Sequence, residues 1–532
     1  FGRTLKGPLN KAVHCLNYST FLRIFGGGDP ASDLAGSVKQ FFDNGGSECY
    51  VVRLAAGTQK ANITLENAAG TSVLLVSAKD AGNWGNNLRL QINYNTANPD
   101  ETFNLSVTQE ENGAITASET FLNLSMNPAS PRYVVNFVTN SSNLIDVALA
   151  AGFNIETNAP LIGYSESRRP IPSADAAALR DFVNALIYTP PTAPSNFEIS
   201  VNDGPFIPIN LRADPAPLPA PASFADLMTA LNGKINPQLP PGVAIAFEQI
   251  LVHTGFRILR INSNSGNNQS VKIRRATVDD LASVLIFGTD QGGVETARYA
   301  NHRPVPTATF FSGSLNTLAA LTQDAFNELT IVGSPTPNVV DLDASGTNVI
   351  NTTAAADRFY TDNYASSAND NNDGVREKLR ALAIAINGTA DLAMSAEVWG
   401  YHLALLPKSG TFNSSFDITT GNTGGGGTNI GAGGSNLFTR NVRQYALGNV
   451  GTSAFQSGAG TLGRDNDGNP GTPDLTVPDF LGSEIDHTGF YALDKVDLFN
   501  LMVIPPDAEI DEDEYIQIAS AASIYCKNHR AL

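Results

Sequence analysis

Charge is scarce in this sequence. Only 16% of its 532 residues are Asp, Glu, Lys or Arg, against about a quarter in an average globular protein. What charge there is leans acidic: 33 basic residues stand against 51 acidic ones, for a net charge of −18. Without a basic surplus the chain lacks the footprint that displaces counterions from nucleic-acid phosphates. An anionic membrane surface is disfavoured for the same reason. No apolar run approaches the ~20 residues of a membrane-spanning helix. Cysteine is rare as well. Cys15, Cys49 and Cys526 are far apart, odd in number and match no metal-ligand spacing, so buried thiols of a reducing compartment are expected, not a disulfide framework.

What fills the gap is glycine, proline and small polar residues, a composition that favours strands and turns over long surface helices. Hydrophobic residues make up 42% of the chain and aromatics 8%, enough to bury a core. At this length two to four domains are expected.

The first fifty-odd residues read as α/β. Phe21, Leu22 and Phe25 keep a helical spacing that stops at Gly26-Gly27-Gly28. Leu34, Val38, Phe41 and Phe42 repeat it up to Asn44-Gly45-Gly46. The apolar run Cys49 to Leu54 predicts a strand buried on both faces. Between about 60 and 150 short β runs are expected at Val73–Val76, Leu88–Tyr94, Phe103–Val107 and Tyr133–Val138. From 151 to 345 an α+β region follows. Phe197–Val201 and Phe206–Leu211 flank Asn202-Asp203-Gly204, a hairpin turn signal. A stiff Pro/Ala spacer spans Asp214 to Ala222. Two capped helices are predicted there: Ser223 with Asp226 opens one that Gly233 closes, and Thr277 with Asp280 opens one that Gly288 closes. After about 346 the pattern returns to α/β, with a helix at Val375–Ile386 and an apolar run Val398–Leu406. A further strand is expected at Val496–Ile504. The last helix has acids crowded at its N-terminal end (Asp507, Glu509, Asp511, Glu512, Asp513, Glu514) and Lys527, His529 and Arg530 at the other, the order that complements the helix dipole.

Candidate chemistry is sparse. Gly421 to Gly434 is glycine-rich but no Gly-Lys-Ser/Thr follows, so a mobile loop is expected and not a phosphate cradle. Asp465, Asp467 and Asp474 could offer oxygens to calcium, yet the further ligands and closing Glu of an EF-hand loop are absent. Asn369 to Gly374 fits an Asx-type turn. Asp486-His487-Thr488-Gly489 resembles the histidine segment of subtilases, but no serine stands in a Gly-x-Ser-x-Gly elbow. The alternating strand Phe256 to Ile261 lacks the aromatic pair of an RNA-binding face. No catalytic constellation, cofactor site or metal site is expected.

Several segments resemble contractile tail-sheath proteins. These are Phe1-Gly-Arg-Thr-Leu-Lys-Gly-Pro-Leu-Asn10, Phe21-Leu-Arg-Ile-Phe-Gly-Gly27 and Phe41-Phe-Asp-Asn-Gly-Gly-Ser-Glu-Cys-Tyr-Val-Val-Arg53. Ala81-Gly-Asn-Trp-Gly-Asn-Asn-Leu-Arg89, Phe121 to Met126 and Asn140 to Ile145 are similar too. So are Asp479 to Gly482, His487 to Gly489 and Ala492 to Leu501. The family-motif residues are thus Gly45, Gly46, Tyr50, Val51, Val52, Arg53, Trp84, Gly85, Asn86, Gly489, Asp494, Asp497, Phe499 and Asn500.

The resemblance implies a multidomain protein. An α/β core, subtilisin-like in the family but without its triad, is formed by both chain ends (1–60 and 346–532). A β-rich domain (61–150) and an outer α+β domain (151–345) are inserted into it. Tyr50–Leu54 and Leu498–Ile504 are expected to pair in one core sheet. The implied function is that of a sheath subunit, not an enzyme. It stacks as hexameric rings around an inner tube, and contraction drives the tube through a target envelope. The implied partners are neighbouring subunits, the inner tube protein, and baseplate and terminal cap proteins. Neither nucleic acid nor direct membrane insertion is implied. Assembly is placed in the bacterial cytoplasm, within a virion or phage-tail-like particle. Arms before Phe1 and after Leu532 are also implied, so these residues alone are expected to be monomeric or weakly associating. The alternatives are a subtilisin-like α/β hydrolase and a β-rich surface adhesin.

Overall fold

The computed structural model describes residues 1–67, 70–157, 163–167, 171–172, 195–212, 223–253, 256–264, 270–285, 287–291, 293–311, 328–332, 336–342, 375–399, 402–408, 417–421, 427–429, 438–442, 445–447, 455–456 and 475–532. Asp465, Asp467, Asp474, the Asn369–Gly374 turn, the Asp214–Ala222 spacer and most of the Gly421–Gly434 loop lie outside them.

The chain opens with β1 (Ala12–Cys15), α1 (Tyr18–Phe25), α2 (Leu34–Asp43) and β2 (Cys49–Val52). Asn17 caps α1 by accepting the Thr20 N–H, and Gly26 ends it at a left-handed φ of 78°, which a glycine adopts without a Cβ penalty. β1 and β2 pair antiparallel, Val13 opposite Val51 and Cys15 opposite Cys49. Side chains alternate across a strand, so β2 serves two cores. Val51 packs with Phe21, Phe25, Leu34 and Val38 of the two helices, while Val52 joins Phe480, Phe490, Leu493, Ile518 and Tyr525 from the far end of the chain. The reading of this segment as a strand buried on both faces is met at Val51 and Val52, each worth about 1.5–3 kcal/mol on burial.

β3 (Asn62–Glu66), β4 (Ser72–Ala78), β5 (Leu88–Asn93), β6 (Phe103–Glu111), β7 (Ala114–Leu124), α3 (Val134–Ser141) and β8 (Ile145–Leu149) follow. They make two antiparallel sheets, β3-β4-β8 and β5-β6-β7, the latter extended at β5 by Tyr445–Ala446. The largest hydrophobic cluster lies between them and draws in Tyr299, Val305, Ala308, Trp399 and Leu447. One expectation fails here. Tyr133–Val138 is not a strand but lies on α3, where Val134 and Val138, one turn apart, are buried.

β9 (Tyr164–Glu166), β10 (Ile171–Pro172), β11 (Asn196–Val201), β12 (Ile207–Asn210), α4 (Phe224–Ile235), β13 (Ile245–His253), β14 (Phe256–Ser263), β15 (Val271–Arg275), α5 (Ala282–Leu285) and β16 (Val294–Thr296) continue the chain. β11 and β12 form the expected hairpin, with Asn202 and Asp203 at φ of 56° and 57°. The Ser223–Asp226 capping box is present, but α4 runs through Gly233 to Ile235. The helix expected from Thr277 is only the single turn α5. Asp280 caps it, accepting the Ser283 N–H at 3.0 Å.

A sheet of Met394–Trp399, His402–Pro407, Thr309–Phe311, Phe438–Val442 and Phe455–Gln456 and another around Glu328–Val332 complete the middle of the chain. α6 (Val375–Gly388) packs on Met394–Trp399. Then come α7 (Val477–Leu481), a 3-10 turn at Gly489–Lys495 and α8 (Glu512–His529). Asp511 and Glu514 form a capping box at the start of α8, and Lys527 and His529 sit in its last turn, as the charge order requires.

The chain ends meet. Arg3 and Asp507 form a buried ion pair at 3.0 Å. The Phe1 and Phe490 rings lie 5.4 Å apart edge to face. Asp33 N–H donates to the Pro506 carbonyl, and Ala508 N–H to that of Ala31. The strand expected at Val496–Ile504 is absent, and its pairing with β2 with it. Val496, Phe499, Met502 and Ile504 do turn towards the core. The segment forms no ladder: its backbone bonds go to Leu532 at Asn500 and Met502, to the Phe1 amine at Val503 and to the Tyr515 hydroxyl at Ile504.

Candidate functional site

The missing ladder leaves an opening between β2 and residues 498–503, and each wall turns backbone into it. On β2, Gly2 N–H donates to the Val52 carbonyl (3.3 Å) and Leu54 N–H to the Gly2 carbonyl (2.9 Å). Even-numbered residues of β2 therefore turn their backbone away from β1. By strand alternation the N–H and C=O of Tyr50 face the same way, into a cleft of about 340 Å³.

The opposite wall follows the same logic. Met502 N–H donates to the Leu532 carbonyl at 2.7 Å, and Leu532 N–H to the Asn500 carbonyl at 2.9 Å. Those bonds turn the backbone of Leu501 and Val503 to the other side, where the Val503 carbonyl accepts from the Phe1 amine at 3.2 Å. Leu34, Val38 and Phe41 of α2 line the cleft along with Leu493 and Phe499. Its rim is apolar and wet: Leu498, Leu501 and Val503 are 74%, 64% and 52% exposed. An apolar patch of this kind on a chain so rich in small polar residues marks a contact surface. Edge backbone at Tyr50 and Leu501, flanking apolar pockets, is what an added strand requires.

Six of the fourteen motif residues, Gly45, Gly46, Tyr50, Val51, Phe499 and Asn500, line this cleft or its end. Gly45 sits at φ of 91° in the turn after α2. A Cβ on Gly46 would stand 2.4 Å from the Phe41 ring, so only glycine lets that ring close the cleft's end. Tyr50 stacks on His14 at 4.8 Å, and His14 contacts Glu48 at 2.6 Å. Phe499 stacks on Tyr525, and Asn500 anchors Leu532.

Arg53 is buried to 1% exposure. Its Nη1 donates to the carbonyls of Gly7 (2.7 Å) and Ala81 (2.8 Å), joining the N-terminal strap to the segment that enters β5. Burial pushes the nearby Asp80 carboxyl up, with the Arg53 charge pulling it back. Trp84, Gly85 and Asn86 lie on the 3-10 turn before β5, away from the cleft. Gly85 packs so closely that a Cβ would meet that of Ala78 at 2.7 Å, and the Asn86 carbonyl accepts from Arg89.

The remaining motif residues hold the C-terminal turn. Gly489, at φ of 55°, has the Phe480 carbonyl 2.4 Å from where a Cβ would be. Asp494 accepts from the Tyr525 hydroxyl at 2.5 Å, and burial, with Asp494 beside it, pushes that phenol up. Asp497 is exposed at the end of the turn. His487 lies 3.8 Å from Asp494, beyond hydrogen-bond reach. The hydroxyls beside it serve the turn instead: Ser483 N–H donates to Thr488 Oγ1 and Asp486 N–H to Ser483 Oγ. Among the described residues no cluster of His, Cys, Asp or Glu could hold a metal ion, and no helix is long and apolar enough to cross a membrane.

Sequence reading did not single out Leu34, Val38, Cys49 or Val503 as cleft residues. The outward alternation of Leu501 and Val503 was the available signal, visible once one face of 496–504 is assigned to the core.

No family model matches the chain, and no curated protein matches it. Among solved structures it is similar over part of its length to the sheath tail protein of Desulfitobacterium hafniense. That match has 19% identity over 29% of this chain and 31% of that chain, with a TM-score of 0.19. The sheath tail protein of Listeria innocua is similar at 16% identity over 29% of this chain and 30% of that chain, again with a TM-score of 0.19. The likeness thus spans under a third of either relative, and at that score it carries no argument about the fold.

Proposed function

We propose that the chain is the structural subunit of a contractile tail sheath, and that the cleft between β2 and residues 498–503 receives an extended strand from a neighbouring subunit. The cleft carries this reading, because β2 and residues 498–501 of its walls belong to sequence blocks that resemble the sheath family. A strand laid there pairs with Tyr50 on one side and with Leu501 and the Val503 N–H on the other, and its side chains cover the apolar rim. This replaces the direct pairing of the two walls with pairing through a third strand. On the same reading, subunits joined in this way stack as rings around an inner tube. Contraction moves the mesh between two packed arrangements, running to the one of lower free energy.

Electron microscopy of the full-length protein expressed with its tube protein tests the proposal. Tubular polymers are expected, and the double variant Leu501→Lys/Val503→Lys should abolish them while leaving a folded subunit. Polymers that persist in that variant would remove the cleft from assembly. Absence of any polymer from the unaltered pair would remove the sheath reading itself. The hydrolase alternative predicts labelling by an active-site serine probe, and the proposal predicts none.

A further inference from the structure

Cys15 and Cys49 stand directly opposite each other on β1 and β2. The bonds to Gly2 and Leu54 turn even-numbered residues of β2 away from β1, so Cys49 is an odd-numbered, hydrogen-bonded partner of Cys15. That pair type sets the Cα atoms about 5.5 Å apart, inside the roughly 4.4–6.8 Å range that a disulfide spans. Both side chains lie on the same face of the pair, against α1 and α2. Their exposure differs. Cys15 is fully buried under α1 and α2, whereas Cys49 is half-buried and lines the open cleft.

We propose that Cys15 and Cys49 form a peroxide-reactive dithiol site that closes a reversible cross-strand disulfide at the wall of the cleft. Cys49 is the attacking residue and Cys15 the resolving one. The neighbouring Cys15 thiol holds Cys49 below its ordinary pKa, while Cys49 beside it and burial hold Cys15 above its own. The thiolate, not the thiol, is the nucleophile. Cys49 Sγ attacks one oxygen of a hydroperoxide and the O–O bond breaks. The second oxygen leaves as water for hydrogen peroxide, or as the alcohol for an organic peroxide. Cys49 becomes a sulfenic acid. Cys15 Sγ then attacks Cys49 Sγ, the S–O bond breaks, and the hydroxyl leaves with the Cys15 proton as water. Two thiols give up two electrons and two protons, and the peroxide takes them. A dithiol reductant reverses the reaction by exchange. This inference does not depend on the sheath reading, since it needs only the register of β1 and β2 and the open cleft.

The test is thiol counting and peptide mapping on the reduced chain, before and after hydrogen peroxide. The expected result is a fall from three free thiols to Cys526 alone. One intrachain disulfide should join the Cys15 and Cys49 peptides, and dithiothreitol should reverse it. Cys15→Ser should leave a Cys49 sulfenic acid that dimedone traps, and Cys49→Ser should leave Cys15 reduced. Survival of all three thiols, or a disulfide that joins Cys526 or two chains, would overturn the proposal. If either variant fails to fold, the map of the unaltered chain decides alone.

Discussion

β2 and β6 are both apolar strands at the centre of their regions, and they are finished differently. β6 runs nine residues between β5 and β7 with a ladder on each side, and its inward residues Phe103, Leu105 and Val107 are sealed in the largest cluster. β2 has four residues, one full partner and an edge only partly covered by Gly2. Packing around β6 is complete within one chain. Packing around β2 is complete on both faces at Val51 and Val52 but not along its edge. A strand can therefore bury side chains on both of its faces and still be unfinished by its backbone.

The largest expected effect probes the faces of β2. Val51→Asp places an unpaired charge among Phe21, Phe25 and Val38, a loss of about 4 kcal/mol or more. Its cooperative melt and soluble yield should both disappear, and a soluble, cooperatively melting variant would contradict this packing. Phe103→Ala should cost about 3–5 kcal/mol through the cavity it leaves, read by chemical denaturation. It should leave peroxide closure of Cys15–Cys49 unchanged if the two regions are as separate as their clusters.

A third test sharpens the contrast by pH. Burial raises the Glu295 carboxyl from 4.5 to about 7, against the Ile273 N–H it accepts and the Lys272 charge. A carboxyl with a raised folded-state pKa contributes stability that is intact below about pH 4.5 and lost as pH rises through 7. Stability should fall between pH 5 and 8 by about 3 kcal/mol from this group. Glu295→Gln should flatten that slope in denaturant titrations at the two pH values, and an unchanged slope would assign it elsewhere. The smallest effect on stability belongs to Leu501→Lys/Val503→Lys, within about 0.5 kcal/mol because both side chains face water. Its whole consequence should fall on assembly.

Sequence patterns were legible where one element decides its own fate. α1, α2 and α8 follow from apolar spacing and end chemistry, and the 202–203 turn from residues that tolerate positive φ. They misled where β-branched residues lie on a helix: Val134, Val135 and Val138 resemble a strand until tertiary packing selects the i, i+4 pair. They misled again at 496–504, where the alternation is real but the partner is not. Apolar alternation reports side-chain burial, whereas a ladder needs a second backbone at the right distance. The cleft was the least legible feature, since its walls come from opposite ends of the chain. The motif blocks named most of its residues without giving their juxtaposition.

The Arg53 guanidinium has a mechanical consequence. A single nitrogen holds the carbonyls of both Gly7 and Ala81, so it is a rivet through two plates, the strap that crosses the core and the segment leaving for the sheets beyond. Tension that separates those plates loads both bonds at one buried point. Such a joint holds until both bonds give together, and so passes a pull from one region to the other before it yields.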